Sequence, residues 1–400
     1  PTENMEAYEY YLRGFKYSTR GMQLENDIKI AIRMLDRAVE LDPNFALAYA
    51  RLCINHLNIY KLYYDKTDER FALAKQALDK AVDLAPDLLE TQLALGHYYT
   101  QLDLDRALEQ FESVRKIRPN NPDAISMTAY LHRSQGNFEQ STTYFNKLLE
   151  IHPRSCLTLT HTGFTLSCMH RYQEAESYCN RAILEHPDQA MPYLAKAWNY
   201  VRWEGDTEKA KAVLAEALQN FESTENPFVN PFAELDVLER DYQGALEWLS
   251  LKSEDIDDLG ELFFIYRQYA QIYRYMNKNE PAKKYYDKAR SILESKMEKT
   301  PKDERLHGWL GIAYAGLGRK EDAVRQGKLA VETAPVSNYA IINPFRIEEL
   351  AQIYAMVGEY DKAIEKLEHL MSIPGPFSIH MLRLDPAWDP LRNQPRFKKL

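Results

Sequence analysis

A proline recurs at a fixed spacing along much of this sequence. Pro119, Pro153 and Pro187 lie 34 residues apart, and the same spacing separates Pro301 from Pro335. Each proline follows a stretch in which apolar and small residues recur three and four apart, the period of a helix face. Because proline cannot continue a helix, each one marks the end of a unit. A repeated unit of this length predicts a stacked array whose core grows by adding units.

The stretch 305–335 shows most clearly what one unit contains. Its first half has an apolar helical pattern. Its second half places small residues three and four apart, which lets a neighbouring backbone approach closely. Between the halves, Gly318 suits the left-handed residue that ends a helix. The unit is therefore predicted to be two short antiparallel helices. Its defining positions are Leu310, Gly311, Tyr314, Ala323, Gly327, Ala330 and Pro335.

This pattern resembles the tetratricopeptide repeat, a helix pair with Leu-Gly-x-x-Tyr in its first helix and Ala at fixed positions in its second. Leu310, Gly311 and Tyr314 match that pattern, whereas Gly327 stands where the family usually has a large residue. Units of this kind follow one another over residues 1–373. The resemblance implies an all-α fold, a right-handed α-solenoid of about ten helix-turn-helix units with a C-terminal cap.

The repeat pattern weakens at one place and stops at another. Residues 220–231, NFESTENPFVNP, carry turn residues and two prolines, so we expect a joint there. Residues 374–400 break the period, and their X-Pro pairs favour extended or turn structure. Since an array exposes the apolar face of its last unit, this tail should cover that face through Trp388, Leu391 and Phe397. We predict an N-terminal array of about six units over 1–220, a C-terminal array of about four units over 221–373 whose first unit is degenerate, and a Pro-rich capping tail over 374–400.

Composition and charge argue against several function classes. The net charge of −9 provides no basic surface for nucleic acid. The sequence has no run of 18 apolar residues and no signal peptide, which predicts a cytoplasmic protein without a membrane partner. The four cysteines lack C-x-x-C spacing, and Cys179 occupies a core position, so we expect a small buried side chain in a reducing compartment. Because the sequence begins with Pro, we also expect it to be a piece of a longer protein.

The sequence shows no catalytic or metal-binding pattern. It lacks H-E-x-x-H, G-x-x-x-x-G-K-[ST] and G-x-S-x-G. Gly316 and Gly318 form a G-x-G that is better explained as the turn between two helices. His161 and His170, with Cys168 between them, do not form a plausible tetrahedral set. We therefore predict that the protein is not an enzyme, and we predict no cofactor and no metal.

The predicted binding surface lies on the first helices of the units. In the repeat family, the positions three before, one after and four after the small residue of the first helix face a concave groove. Arginines with aromatic and amide neighbours at such positions suit an extended acidic peptide or a terminal carboxylate. The alternative is that they are solvated or pair with acidic residues of the same surface. The predicted partner-binding residues are Tyr130, Arg133, Phe164, Asn199, Arg202, Trp203, Arg267, Gln271 and Arg274.

A narrower resemblance bears on function. The segments EAYEYYLRG, ELDPNFALAYARL and LDPAWDPLRNQPRFKKL are similar to C-terminal repeat regions of bacterial multidomain signalling proteins. In those proteins an adenylate-cyclase, protein-kinase or winged-helix domain precedes the repeats. The resemblance implies a non-enzymatic scaffold for a protein or peptide segment, the partner-recruiting or sensory region of a larger signalling protein. The alternative is a module that senses a small molecule and controls an attached catalytic or DNA-binding domain, and self-association is a third option.

Overall fold

The fold is an array of paired α-helices of the tetratricopeptide type. It is taken from a computed structural model that describes residues 2–19, 25–221, 227–252, 259–301, 303–334 and 339–400. Within these residues twenty helices form ten consecutive pairs, as the repeat pattern predicts, and no strand occurs.

The pairs, each given as first and second helix, are α1 Met5–Ser18 and α2 Glu25–Leu41, α3 Ala46–Lys61 and α4 Asp68–Leu84, α5 Leu89–Tyr99 and α6 Leu104–Ile117, α7 Pro122–Ser134 and α8 Phe138–Ile151, α9 Cys156–Cys168 and α10 Tyr172–Glu185, α11 Ala190–Glu204 and α12 Thr207–Leu218, α13 Val229–Leu238 and α14 Tyr242–Ser250, α15 Leu259–Tyr275 and α16 Asn279–Lys299, α17 Glu304–Gly316 and α18 Lys320–Thr333, and α19 Asn343–Met356 and α20 Tyr360–Ser372. The tail then forms α21 Ile379–Leu384 and the 3₁₀ turns Pro386–Leu391 and Phe397–Lys399.

The recurring prolines stand directly after the second helices. Pro119, Pro153, Pro187 and Pro301 each lie two residues beyond the end of α6, α8, α10 and α16. Their place agrees with their predicted role, because a proline ring cannot occupy the interior of a helix. Pro335, the fifth of the series, lies outside the described residues.

The ninth pair confirms the predicted use of glycine. A Cβ atom on Gly311 would lie 3.0 Å from the carbonyl oxygen of Ala323 and 3.2 Å from the backbone nitrogen of Gly327. The absence of a side chain therefore lets α17 and α18 pack backbone to backbone. Gly318, which joins them, has φ +79°, the left-handed conformation that favours glycine at a helix end.

The chain divides into two compact units, one over residues 2–131 and one over residues 132–400. The division falls within α7. The core of the first unit is built from buried aliphatic and aromatic side chains of α1 to α7, including Tyr11, Phe45 and Phe111. The joint predicted in 220–231 falls partly outside the described residues, and the boundary at residue 220 stays a prediction.

The tail caps the last helix pair. Trp388 is 1% exposed and Leu391 is fully buried, and both belong to the hydrophobic cluster that contains Leu350 and Leu367. Phe397 packs against the edge of the same cluster. These are the three anchors expected from the sequence. Cys179 is likewise buried, at 1% exposed, as its core position predicts.

Candidate functional site

The tail also contacts first helices that are remote from it in sequence. The Gly375 N–H donates to the carbonyl oxygen of Cys168 at the end of α9 (2.9 Å). The Arg202 Nε–H of α11 donates to the carbonyl oxygen of Pro376 (2.8 Å). Helix α21 then packs along α11. Residues 375 and 376 are thus held through their main chain on the surface where the sequence predicts partner binding.

Two further contacts extend this path. The Arg240 guanidinium, just after α13, donates from Nη1 to the carbonyl oxygen of Leu384 and from Nη2 to Asp389 Oδ1, the latter at 2.9 Å. The Phe377 ring is 5% exposed and meets the Phe345 ring of α19 edge to face, with 5.5 Å between centroids. The tail therefore touches pairs five, six, seven and ten within the second unit.

Between the tail and the first helices of pairs six to ten lies a cavity of about 380 Å³. Its wall is largely aromatic and aliphatic, as in most small-molecule sites. Five residues of the tail line one side of it, namely Phe377, Met381, Leu382, Asp385 and Trp388. The aromatic side chains that line the cavity are Trp198, Phe264, Tyr275, Trp309, Phe345, Phe377 and Trp388.

Charged and amide side chains also line the cavity. Arg346 Nη2 and Glu349 Oε1 form an ion pair at 3.1 Å, and both side chains are buried. Gln268 Nε2 donates to Glu234 Oε1 at 3.4 Å. The Arg267 guanidinium lies over the Phe264 ring, 4.7 Å from its centroid. The complete polar lining is Glu234, Arg267, Gln268, Gln271, Arg346, Glu348, Glu349, Gln352 and Asp385.

Several of these polar atoms have no hydrogen-bond partner among the described residues. They are Nε and Nη1 of Arg346, Nε of Arg267, Oε1 of Gln268 and Oε2 of Glu349. Arg346, Gln268 and Glu349 are each only 6% exposed, so bulk water does not serve them. An unpaired buried polar group costs about 1–3 kcal/mol, and native proteins pair the great majority of such groups. Side chains that line the cavity therefore carry unsatisfied donors and acceptors.

The carboxyl groups of the cavity are hard to ionise. Burial raises the pKa of Glu348 well above its usual range, and the nearby Asp385 and Glu349 raise it further, while Arg267 and Arg346 lower it. Burial likewise raises the pKa of Glu349 and of Glu234. The pKa of Asp385 rises to about 6, mainly through burial, although the backbone N–H of Ala387 opposes the rise. The cavity thus holds more carboxyl groups than its two arginines neutralise.

The structure distributes the predicted binding residues over different places. Arg267 and Gln271 line the cavity, whereas Arg274 on the same helix does not. Arg202 contacts the tail. Asn199 is 1% exposed and donates from Nδ2 to the carbonyl oxygen of Tyr172 (2.9 Å), so it joins pairs five and six.

The remaining predicted residues are engaged by neighbouring aromatic rings or lie elsewhere. Trp203 stacks on the Tyr172 ring, with 6.3 Å between centroids. The Arg133 guanidinium lies 5.5 Å from the centroid of the Phe164 ring. Tyr130 is half-buried and belongs to the first unit. Arg267 and Gln271 are therefore the two predicted residues that the cavity brings together.

The sequence prediction missed most of the cavity, although the signal for part of it was present. If Ala351 and Ala233 are taken as the small residues of their helices, the same rule gives six groove positions. Four of them line the cavity, namely Glu348 and Gln352 in α19 and Glu234 and Val237 in α13, whereas Asn230 and Ala355 do not. No pattern in the sequence indicates which helices the tail contacts.

Comparisons with known proteins agree with the fold. Residues 93–155 match one family model described as tetratricopeptide repeat, and residues 265–292 match another. These matches cover well under half of the chain. No curated protein matches the sequence. The chain is thus an array of tetratricopeptide-type helix pairs, a scaffold architecture that presents extended surfaces for binding.

Several solved structures are similar to it. A tetratricopeptide repeat protein from Parabacteroides merdae is 17% identical over 66% of this chain and 99% of its own, with a TM-score of 0.43. PilW, a type IV pilus biogenesis factor, is 18% identical over 56% and 97%, with a TM-score of 0.42. The APC/C hetero-tetramer Cut9–Hcn1 is 16% identical over 94% and 75%, with a TM-score of 0.39. At such identities and scores, these likenesses carry no inference about partners.

Two other kinds of site are absent from the described residues. None of the helices in the described part of the chain is both long and apolar enough to cross a membrane. In those same residues, no three His, Cys, Asp or Glu side chains come together as a metal site requires.

Proposed function

We propose that this chain is a non-enzymatic scaffold that binds an extended protein segment on the first helices of its second unit, where its own tail lies here. The main-chain contacts of residues 375 and 376 support this proposal. Arg202 donates to one carbonyl group and the Cys168 carbonyl oxygen accepts from one N–H. Recognition of main-chain atoms is how many proteins bind extended peptides.

The chemistry of these contacts suggests what an incoming segment would need. Contacts to main-chain atoms place little demand on sequence, so a partner segment can replace residues 375 and 376. Arg240 adds a preference, because its guanidinium pairs with the Asp389 carboxylate of the tail. An acidic residue at the matching place of a partner would gain the same charge-assisted bond. An acidic peptide, which the sequence also predicts, is therefore the proposed partner.

A wider role in signalling is proposed because the sequence resembles the C-terminal repeat regions of bacterial multidomain signalling proteins. The module would act in the bacterial cytoplasm as the partner-recruiting region of a larger signalling protein. Exchange of the tail for a partner segment would give that region two states. The tail of a second copy is also a possible occupant, because swapping an identical element between protomers is a low-cost route to dimers.

The test uses a fluorescent peptide of residues 374–392 and measures its binding to the full chain by fluorescence anisotropy. Phe377→Ser should loosen the docked tail, since this ring is buried, and should allow the peptide to bind in trans. Adding Arg202→Ala should then weaken binding about tenfold to a hundredfold, because a hydrogen bond to a charged group contributes roughly 1.5–3 kcal/mol.

The matched control adds Arg154→Ala to Phe377→Ser. The Arg154 side chain is 80% exposed and, among the described residues, forms only a surface ion pair with Glu185, so its loss should leave peptide affinity unchanged. Circular dichroism confirms that each variant is folded. The proposal is contradicted if a folded Phe377→Ser chain does not bind the peptide. It is also contradicted if adding Arg202→Ala leaves the peptide affinity of that chain unchanged.

The cavity favours a second candidate function, the sensing of a small molecule. Its volume and its unsatisfied polar atoms are the specific observations behind this alternative. The module would then report ligand binding to an attached domain.

A further inference from the structure

We propose that the cavity binds a small zwitterionic molecule of the amino-acid type with a large apolar side chain. The inference rests on the second candidate function and assigns it a ligand class. It stands on three features of the cavity: its unpaired donors, its surplus of carboxyl groups and its aromatic wall.

The unpaired donors call for an anionic group. Among the described residues, no atom accepts a hydrogen bond from Nε or Nη1 of Arg346 or from Nε of Arg267. Glu349 engages only Nη2 of Arg346, at 3.1 Å. A ligand carboxylate has several lone pairs and forms short, strong bonds with guanidinium groups. It would supply acceptors to both arginines within one small space.

The surplus carboxyl groups call for a cationic group. Four acidic side chains line the cavity against two arginines, and burial raises the pKa of each acid. A nearby cation stabilises ionised carboxyl groups, so a ligand ammonium group would offset their crowding. It also brings three donors, one of which can satisfy the unpaired Gln268 Oε1.

The aromatic wall and the volume of the cavity indicate the size and apolar character of the ligand side chain. Trp198, Phe264 and Trp309 are among the rings that surround the space. An apolar cavity of roughly 150 Å³ is enough for a benzene molecule. The volume here, about 380 Å³, leaves room for a ring-sized side chain together with the amino and carboxyl groups.

Ligands with only one charge fit the same atoms less well. A simple amine would leave the N–H groups of Arg267 and Arg346 unpaired. A simple carboxylate would approach four acidic side chains with nothing to compensate them. A molecule that carries an ammonium group and a carboxylate group on the same carbon atom meets both needs.

The experiment titrates the full chain by isothermal calorimetry with L-phenylalanine, L-tryptophan and L-leucine. At least one should bind. If it is L-phenylalanine, phenethylamine and 3-phenylpropionate, which each lack one charge, should bind at least about tenfold more weakly. If L-tryptophan or L-leucine binds instead, the comparison uses the amine that lacks its carboxylate group and the acid that lacks its amino group. Absence of binding by all three amino acids, or equal binding by a singly charged analogue, would overturn the proposal.

Variants on one helix locate the site. Arg267→Gln should weaken amino-acid binding about tenfold or more. Arg274→Gln, seven residues further along α15 and outside the cavity, should leave it unchanged. If Arg267→Gln does not fold, Gln271→Trp, which fills the cavity from the same helix, should abolish binding. Equal loss in the Arg274 control, or full binding by a folded Gln271→Trp chain, would place the ligand elsewhere.

These measurements are made with the tail docked and do not involve Arg202. Their failure would leave peptide binding at the Arg202 surface intact. Failure of the peptide experiment would likewise leave the cavity as the binding site.

Discussion

Replacing Trp388 by Ala tests whether the tail joins helix pairs that are not neighbours. The side chain is 1% exposed, so the substitution removes a fully buried indole. A side chain of this kind buries about 150–250 Å². At about 25 cal/mol per Å², that corresponds to roughly 4–6 kcal/mol, close to the 3–5 kcal/mol usual for Trp-to-Ala changes.

We expect the substitution to reduce the protection of backbone amides from hydrogen exchange in two separate places, the tail with the last helix pair and the end of α11. In a simple repeat array each unit contacts only its neighbours, so damage to the cap should affect α19 and α20 alone. Here the tail also holds Arg202 of α11 through the Pro376 carbonyl group. We therefore expect amide hydrogen exchange to accelerate about a thousandfold in the tail and the last pair, with a clear rise at the end of α11 as well.

Hydrogen exchange with mass spectrometry measures this pattern, and Leu293→Ala is the matched control. Leu293 in α16 is fully buried, and its cluster is built mainly from pairs eight and nine, with Ile353 and Met356 added from α19. Its loss should raise exchange in those pairs without changing α11. If Trp388→Ala leaves α11 as protected as in the wild type, the reasoning about the tail is refuted.

Two further predictions concern the ninth pair and the tail. Gly311→Ala should lower the free energy of unfolding by about 1–3 kcal/mol, because its methyl group would meet backbone atoms of α18 at 3.0–3.2 Å. Gly318→Ala should lower it by only about 1 kcal/mol, since the space there is open and only the left-handed φ of +79° is strained; urea denaturation of both variants would contradict this if Gly318→Ala proved the more damaging. Asp385→Asn tests the pH dependence. Because the pKa of Asp385 is about 6 in the folded state and 3.8 in the reference state, this carboxyl group stabilises the fold below about pH 4 and loses that contribution as the pH rises towards 6. The wild type should therefore lose more stability than Asp385→Asn between those pH values, and parallel denaturation curves for the two proteins would disprove the assignment.

The sequence predicts features that depend on local periodicity. Gly311 and Gly318 take the roles that their spacing indicates, because close packing and a helix end are decided within one unit. Trp388 and Leu391 could be recognised as cap residues because an array must cover its last apolar face. In each case the physical cause lies within a few tens of residues of the side chain.

The cavity and the path of the tail depend on contacts between distant segments. Arg202 and Pro376 are 174 residues apart, and no repeat pattern relates them. Arg346 stands at the start of α19, outside the positions that the family geometry marks as groove-facing. Glu348 could have been found by applying that geometry to α19, but Asp385, the nearby acid that raises its pKa, lies in the non-repetitive tail. Such pairs become visible only when the whole second unit is assembled.

The bond between Arg202 and Pro376 has a consequence for the order of events at the ribosome. Repeat arrays can begin to fold while they are being made, because each pair needs only its neighbours. Translation proceeds at roughly 5–20 residues per second, so the 174 residues between these two positions represent about 10–35 s. During that interval the Arg202 side chain has emerged without its acceptor. A segment of a chaperone or of a second nascent chain could bind this surface before the tail is synthesised. The tail would then have to compete with that segment for the same surface.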